Sequence, residues 1–243
     1  MSVAKWLGHR RIDLIECGST NDEAAALARA GAAHGTIVIA QRQTAGRGRD
    51  GRSWVSPPGG LYMSVVLRPA IAPADVPPLT LAIGVGACDA AREFGAPAEL
   101  KWPNDLYVRA GKLAGVLVEA QSQAEVVIAG IGVNLATTPE LDTAAAIGNV
   151  DREHFIARLC AQLETWIDRY VASGIAAIAP AWRDRMMPDL VLKAGELVGT
   201  VAGLDDDGAL LVQDDDGRVH RIRSGDVAVV HQRHPVIPPL RSA

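Results

Sequence analysis

With 243 residues, 49% of them hydrophobic and 21% charged, the chain has the composition of a folded protein that can bury one sizeable core, with or without a small second domain. A formal net charge of −4 excludes a surface built throughout for nucleic acid, so any anion-binding function must rest on a local group of cations. Cys17, Cys88 and Cys160 stand apart without CxxC spacing, which excludes a disulfide framework or cysteine-rich zinc site and fits a reducing cytoplasm.

The segment from Met1 to Glu16 lacks the apolar stretch of a signal peptide, and no uninterrupted apolar run is long enough to span a membrane. Thr20-Asn21-Asp22-Glu23 reads as a capping box opening an Ala-rich helix that Gly31 or Gly35 stops. Ile37 to Gln43 reads as a buried strand, followed by a long, mobile loop rich in glycine and proline. Leu61 to Arg68 alternates with period two, as a sheet strand does. Pro77-Pro78 opens an apolar helix to about Phe94, and Lys112 to Ala120 and Val126 to Asn134 form a two-strand meander. Phe155, Leu159, Leu163, Trp166 and Tyr170 recur at helical spacing between an Asp151 cap and a Gly174 stop.

Beyond Met187-Pro188 the texture changes to short strand-like runs, Leu197 to Ala202, Ala209 to Gln213 and Arg218 to Arg223, which suit a small β-barrel. The intervening Asp205-Asp206-Asp207-Gly208 and Asp214-Asp215-Asp216-Gly217 lack EF-hand spacing and its closing Glu, so they read as solvated hairpin turns. His231 and His234 lack the further ligands a zinc site needs, and the proline-rich tail reads as loose. The expected domains are therefore 1–187 and 188–235, with a tail over 236–243.

The densest chemical signal is Gly46-Arg47-Gly48-Arg49-Asp50-Gly51-Arg52, closely followed by Trp54. Glycines let backbone approach a ligand and guanidiniums bind carboxylate or phosphate oxygens in pairs, so the loop suits a polyanion; a flexible or RNA-contacting linker has the same composition. It is not a Walker A loop, because Gly111-Lys112 is followed by Leu113, and neither a dinucleotide fingerprint nor a GxSxG elbow is present. A second signal, Lys101-Trp102-Pro103-Asn104-Asp105-Leu106 with Lys112-Leu113-Ala114-Gly115, reads either as turn chemistry or as the cations and carboxylate of a phosphate-activating site.

Together with Gly18-Ser19-Thr20-Asn21, Gln43-Thr44-Ala45 ahead of the arginine loop, and Gly130-Ile131-Gly132-Val133-Asn134, these motifs resemble the biotin–protein ligase family in content and order over residues from about 12 to 230. The resemblance implies an α+β catalytic domain, like that of lipoate ligases and class II aminoacyl-tRNA synthetases, with a mixed sheet, flanking helices and a small C-terminal SH3-like barrel. It implies that biotin and ATP, with Mg2+ carried mainly on the nucleotide, form biotinyl-5'-AMP, and that biotin then passes to a lysine of a biotin carboxyl carrier protein or domain.

The resemblance also assigns residues. Biotin falls to Ser19, Thr20, Gln43, Arg47, Arg49, Lys112 and Gly115, and ATP or the adenylate to Arg49, Arg52, Trp54, Asn104, Lys112 and Asn134. The catalytic set is Lys112, Arg47, Arg49 and Asp105, with Asp105 orienting or deprotonating the acceptor lysine. Only some 18 residues precede the first helix, so the winged-helix domain of the family's repressor members, and DNA binding through it, are not expected. Monomer and homodimer both stay open. Two departures stand out: Val230 follows the Gly225-Asp226 pair where some members carry arginine, and Asp50 sets a negative charge among the loop's cations. Lipoate attachment and non-catalytic RNA or phosphate binding are the competing functions.

Overall fold

The computed structural model describes residues 4–121, 125–139, 143–188, 190–225 and 227–232, with backbone alone for 190 and 230–232. The chain divides into two compact units, Met1–Met186 and Met187–Ala243. Asp226, His234 and the tail over 236–243 lie outside the described residues, as do the side chains of Val230 and His231.

The first unit holds β1 (Arg11–Cys17), α1 (Thr20–Arg29), β2 (Ile37–Gln43), β3 (Leu61–Leu67), α2 (Leu79–Glu93), β4 (Ala98–Lys101), β5 (Asp105–Val108), β6 (Gly111–Gln121), β7 (Val126–Val133), α3 (Arg152–Ser173) and α4 (Ala179–Arg183). Its seven strands form one mixed sheet in the order β1-β2-β3-β7-β6-β5-β4. Only β1 and β2 run parallel, because α1 carries the chain back between them. The other neighbours pair antiparallel.

All seven residues of β3 are buried, so the sheet is covered on both faces. Tyr62, Ser64 and Val66 share the face on which Ala24, Ala25 and Ala28 of α1 meet Val38, Val66, Val126 and Ile128. Small alanines let this helix lie close to the strands. The alternate β3 side chains, Leu61, Met63, Val65 and Leu67, point the other way into a second buried layer. α2 packs along α3 and against β4 and β6. A Cβ at Gly86 would come within 3.1 Å of Leu163 Cα, so glycine permits the close helix–helix approach.

The carboxylate of Glu164, on the buried side of α3, gathers the chain's first described residues. It accepts from the backbone N–H of Lys5 at 2.7 Å, Trp6 at 2.7 Å and Leu7 at 2.9 Å. Burial alone raises this carboxyl's pKa, but the three N–H donors outweigh it and hold the value below the usual glutamate range.

The second unit is a five-stranded antiparallel sheet of β8 (Leu190–Ala194), β9 (Leu197–Leu204), β10 (Leu210–Gln213), β11 (Val219–Ile222) and β12 (Ala228–Gln232), ordered β11-β10-β9-β8-β12. Its Asp-rich segments are hairpin turns whose carboxylates cap their own backbone, Asp214 Oδ1 accepting from Asp216 and Arg218 N–H. Asp205 and Asp207 pair with Arg221.

Three local expectations change. The capping box is not formed: Ser19, not Thr20, is the residue before α1, and its hydroxyl makes no cap bond. Thr20 lies inside the first turn, where its hydroxyl is drawn to Gln43. β1, the β4–β5 hairpin, α4, β8 and β12 were not legible as elements, being short or half exposed. The glycine-rich loop after β2, expected to be irregular, is folded on itself, as described below. By contrast, Asp151 does cap α3, accepting from His154 N–H at 2.6 Å. Among the described residues no helix is long and apolar enough to cross a membrane.

Replacing Glu164 by Gln should destabilise the protein at neutral pH by about 1–3 kcal/mol, the scale of hydrogen bonds to a charged acceptor. Because the folded-state pKa is depressed, this contribution is present above the unfolded glutamate value and disappears as pH falls through the folded one. Chemical denaturation at pH 7 and again well below pH 4 should therefore show the variant's deficit narrowing in acid; a constant deficit would contradict it.

Candidate active site

A cleft with about 690 Å³ of empty space, part of it open to solvent, lies on the α1 face of the sheet, at the N-terminal end of that helix. Its floor is made of β6 and β7, where Gly115 pairs with Gly132 and Leu117 with Gly130. Beside the cleft, α1 lays its alanines on the same face against β2, β3 and β7.

The arginine-rich loop forms one wall. Gly48 N–H donates to Arg52 O at 2.7 Å and Trp54 N–H to Gly46 O at 2.9 Å, so the segment is a small hairpin with Arg47 bridged to Ser53. Its tip turns through Asp50 and Gly51, both at positive φ, where glycine relieves strain and Asp is tolerated. Gly46 is needed for a different reason. A Cβ there would stand 2.5 Å from Trp54 O and 2.8 Å from Ser56 Oγ, and the hairpin could not close. Thr44 and Ala45 N–H groups bond to Cys17 and Gly18 carbonyls and so place the loop against Ser19 and Thr20.

A continuous polar chain links helix, strand and loop. Gln43 Oε1 accepts from Thr20 N–H at 2.8 Å and lies 3.0 Å from its hydroxyl; Gln43 Nε2 donates to Ser56 Oγ at 3.0 Å, and Ser56 donates to Trp54 O at 3.1 Å. Ser64, wholly buried on β3, donates to Asn21 Oδ1 at 2.6 Å, and Asn21 Nδ2 donates to Glu119 on β6 at 2.6 Å.

The cations come next. Arg47 donates to Asp22 at 2.6 Å and to Glu119 at 3.2 Å, and these carboxylates raise its pKa further above the ordinary guanidinium value, the Asp22 hydrogen bond most. Lys112 Nζ lies 2.7 Å from Asp105 Oδ1 and 5.4 Å from the centre of the Trp54 ring. The Asp105 oxygen has no well-aligned hydrogen-bond donor, so the contact is chiefly ionic. Arg49 Nη1 and Trp54 Nε1 are also shielded from solvent without a hydrogen-bond partner. Asp50 and Arg52 face each other at 3.8 Å at the exposed tip.

Of the residues expected from sequence, Ser19, Thr20, Gln43, Arg47, Arg49, Arg52, Trp54, Asn104, Asp105, Lys112 and Gly115 all line this cleft. Asn134 does not. It is buried, and its side chain donates to Lys112 O at 3.1 Å, fixing the backbone of the lysine. Asn104 faces the cleft while its amide donates to Val116 O at 2.8 Å, tying the turn after the cis Trp102–Pro103 peptide to β6. Burial, with Glu23, Asp22 and Glu16 nearby, pushes the Cys17 thiol up to about 11, which disfavours the thiolate.

Sequence reasoning missed Asp22, Ser56, Ser64 and Glu119. Period two carried outward from Gly115 on β6 reaches Leu117 and Glu119 on the same face, and from Tyr62 it reaches Ser64, so the alternation held that signal. Asp22 and Ser56 are tied in only by the loop's fold, which no periodicity encodes.

Fold and cleft together define a mixed α+β ligand-binding unit with a cationic wall, followed by a small antiparallel β unit. Residues 18–135 match the biotin/lipoate A/B protein ligase family and residues 190–230 match the biotin protein ligase C-terminal domain. Over 228 residues the chain is 34% identical to a biotin–[acetyl-CoA-carboxylase] ligase of Paracoccus denitrificans, covering 84% of this chain and 95% of that one. Its structure is similar to that of a biotin protein ligase from Aquifex aeolicus in complex with biotin and ATP, with TM-score 0.77, 28% identity, and 90% and 98% of the two chains covered. Similarity extends to a Leishmania major biotin protein ligase in complex with biotinyl-5-AMP, at TM-score 0.62, 27% identity and 89% and 99% coverage. The chain belongs to the biotin/lipoate A/B protein ligase family.

A Cβ at position 132 would stand 2.5 Å from Trp54 Nε1 and 2.6 Å from Cε2. Gly132→Ala should therefore displace the indole and shift tryptophan emission, and the shift should vanish in a Trp54→Phe background. An unchanged spectrum in the single variant would show that Trp54 does not rest on Gly132.

Proposed function

We propose that the chain is an ATP-dependent ligase that joins biotin to AMP and transfers the biotinyl group to a lysine of a biotin carboxyl carrier protein or domain. The observation that carries this is the convergence, in one cleft, of Arg47, Arg49 and Lys112 with the Thr20–Gln43 polar pair and the Trp54 ring. Residues 1–187 are the catalytic domain and 188–235 the C-terminal domain. The isolated cysteines support a reducing, cytoplasmic setting.

The first step must bring two anions together, the biotin carboxylate and the α-phosphate of ATP, against their repulsion. Arg47, Arg49 and Lys112 supply the positive field, with Lys112 at the junction. A carboxylate oxygen attacks the α-phosphorus, the bond to the β-phosphate oxygen breaks, and pyrophosphate leaves. Mg2+ enters on the nucleotide as part of the substrate. The cleft's own carboxylates are committed to cations, Asp105 to Lys112 and Glu119 and Asp22 to Arg47, and among the described residues no group of three His, Cys, Asp or Glu side chains is arranged to hold a metal. Ser19, Thr20, Gln43 and the Gly115 backbone bind biotin; Arg52, Trp54 and Asn104 face the nucleotide, and Asn134 serves it by fixing Lys112.

In the second step the acceptor amine, whose ordinary pKa is about 10.4, must give up a proton as it attacks the acyl carbon and AMP departs. Asp105 lies 13% exposed beside Lys112. When Lys112 turns to the substrate anions, this carboxylate is released to orient the incoming ammonium and take its proton. The same cleft serves a monomer or a homodimer.

Incubation with biotin and MgATP should release pyrophosphate, and the adenylate formed should label a carrier domain on lysine. Release with lipoate but not biotin would overturn the substrate assignment, and salt-sensitive RNA binding without nucleotide turnover would overturn the enzyme assignment. Lys112→Ala should fold normally and form adenylate about two to three orders of magnitude more slowly, the scale of losing one preorganised electrostatic donor. Near-normal single-turnover rates would remove Lys112 from the reaction.

A further inference from the structure

We infer that Glu119 is a positioning residue that holds the Arg47 guanidinium from behind and so sets the affinity of the cleft for its carboxylate substrate. This rests on the assignment of Arg47 to the substrate anions made above.

Glu119 lies on β6, facing the α1 side of the sheet beyond Gly115 and Leu117, and its side chain is about one-third exposed. It is the last rigid link of a chain that starts in the core. Ser64 is wholly buried and fixes Asn21 Oδ1; Asn21 is 5% exposed and its amide donates to Glu119 Oε2 at 2.6 Å. Gly130 leaves the space in which that amide lies, since a Cβ there would collide with Asn21 Oδ1. The carboxylate therefore has a fixed orientation before it meets Arg47 Nη2 at 3.2 and 3.3 Å.

Asp22, the other partner of Arg47, has a side chain 60% exposed in the first turn of α1. It supplies charge but is less constrained. Glu119 and Asp22 engage Nη2 and Nη1, which occupies at most three of the five guanidinium protons and leaves Nε–H and the second Nη1 proton to serve a ligand. The two carboxylates do not compete with the substrate for every donor. They hold the fork at the cleft wall, which lowers the ordering needed when an anion binds.

Glu119→Gln is the discriminating change. Its amide oxygen can still accept from Asn21, but its NH2 group now faces another donor at Arg47. In steady-state pyrophosphate release the KM for biotin should rise about tenfold, on the scale seen when the partner orienting a ligating side chain is lost, while kcat changes by less than about threefold. In an Arg47→Ala background the same substitution should change KM by less than about twofold. Amide exchange of residues 46–54 in the substrate-free variant should quicken, with β2 and β3 unaffected. Equal effects of Glu119→Gln in both backgrounds would make its role general stability and overturn the proposal, as would unchanged KM and loop exchange in the single variant. If Arg47→Ala alone leaves KM and kcat untouched, the substrate role of Arg47 fails and the link to affinity falls with it. Quickened loop exchange in Glu119→Gln would then still show the docking. Biotin-dependent pyrophosphate release by the unaltered enzyme tests the ligase assignment separately.

Discussion

The cleft depends on a patch of sheet stripped of side chains. Gly115, Gly130 and Gly132 lie on one face of two neighbouring strands, and a methyl group at either of the last two would strike what now rests there, the Asn21 amide or the Trp54 indole. Glycine inside a strand costs roughly 0.5–1 kcal/mol relative to alanine. The sheet tolerates this beside β3, which is buried along its whole length. What the glycines give up in packing becomes room for an aromatic wall on one side and a buried amide on the other. Helix α1 ends its alanine-lined contact where this patch begins, so the position of the site follows from where small residues change from alanine to glycine.

Two of the cleft's cations have acidic partners before any ligand arrives. Arg47 faces Asp22 and Glu119, and Lys112 faces Asp105. Lys112 and Asp105 are partly shielded, a setting in which an uncompensated cation is costly and a compensated one is held in place. The acidic partners give the free protein a stable site and keep the cations oriented.

Much of this was legible in the chain. The period-two run at Leu61–Leu67, the apolar strand at Val126–Val133 and the helical period from Phe155 to Tyr170 appear as elements where the residues placed them. β1 escaped notice because none of its seven residues is buried and three of them, Asp13, Ile15 and Glu16, are exposed at the sheet edge. The motif residues were found because their types carry chemistry. Glu119 and Ser64 were passed over because each looks like an ordinary strand residue until the register of β3, β7 and β6 is known. Thr20 was read as a helix cap, and the structure instead spends its hydroxyl on Gln43, a tertiary contact that outcompetes a local one.

Gln43 has a consequence of its own. Its side-chain carbonyl faces the start of α1 and its amide reaches Ser56, which in turn holds the Trp54 carbonyl. A single planar group thus joins the end of the cleft at the helix to the aromatic wall opposite, like a rigid crossbar between two gateposts. The amide therefore couples the two sides of the cleft through fixed groups. Three hydrogen bonds in series, Thr20 to Gln43, Gln43 to Ser56 and Ser56 to Trp54, make that tie.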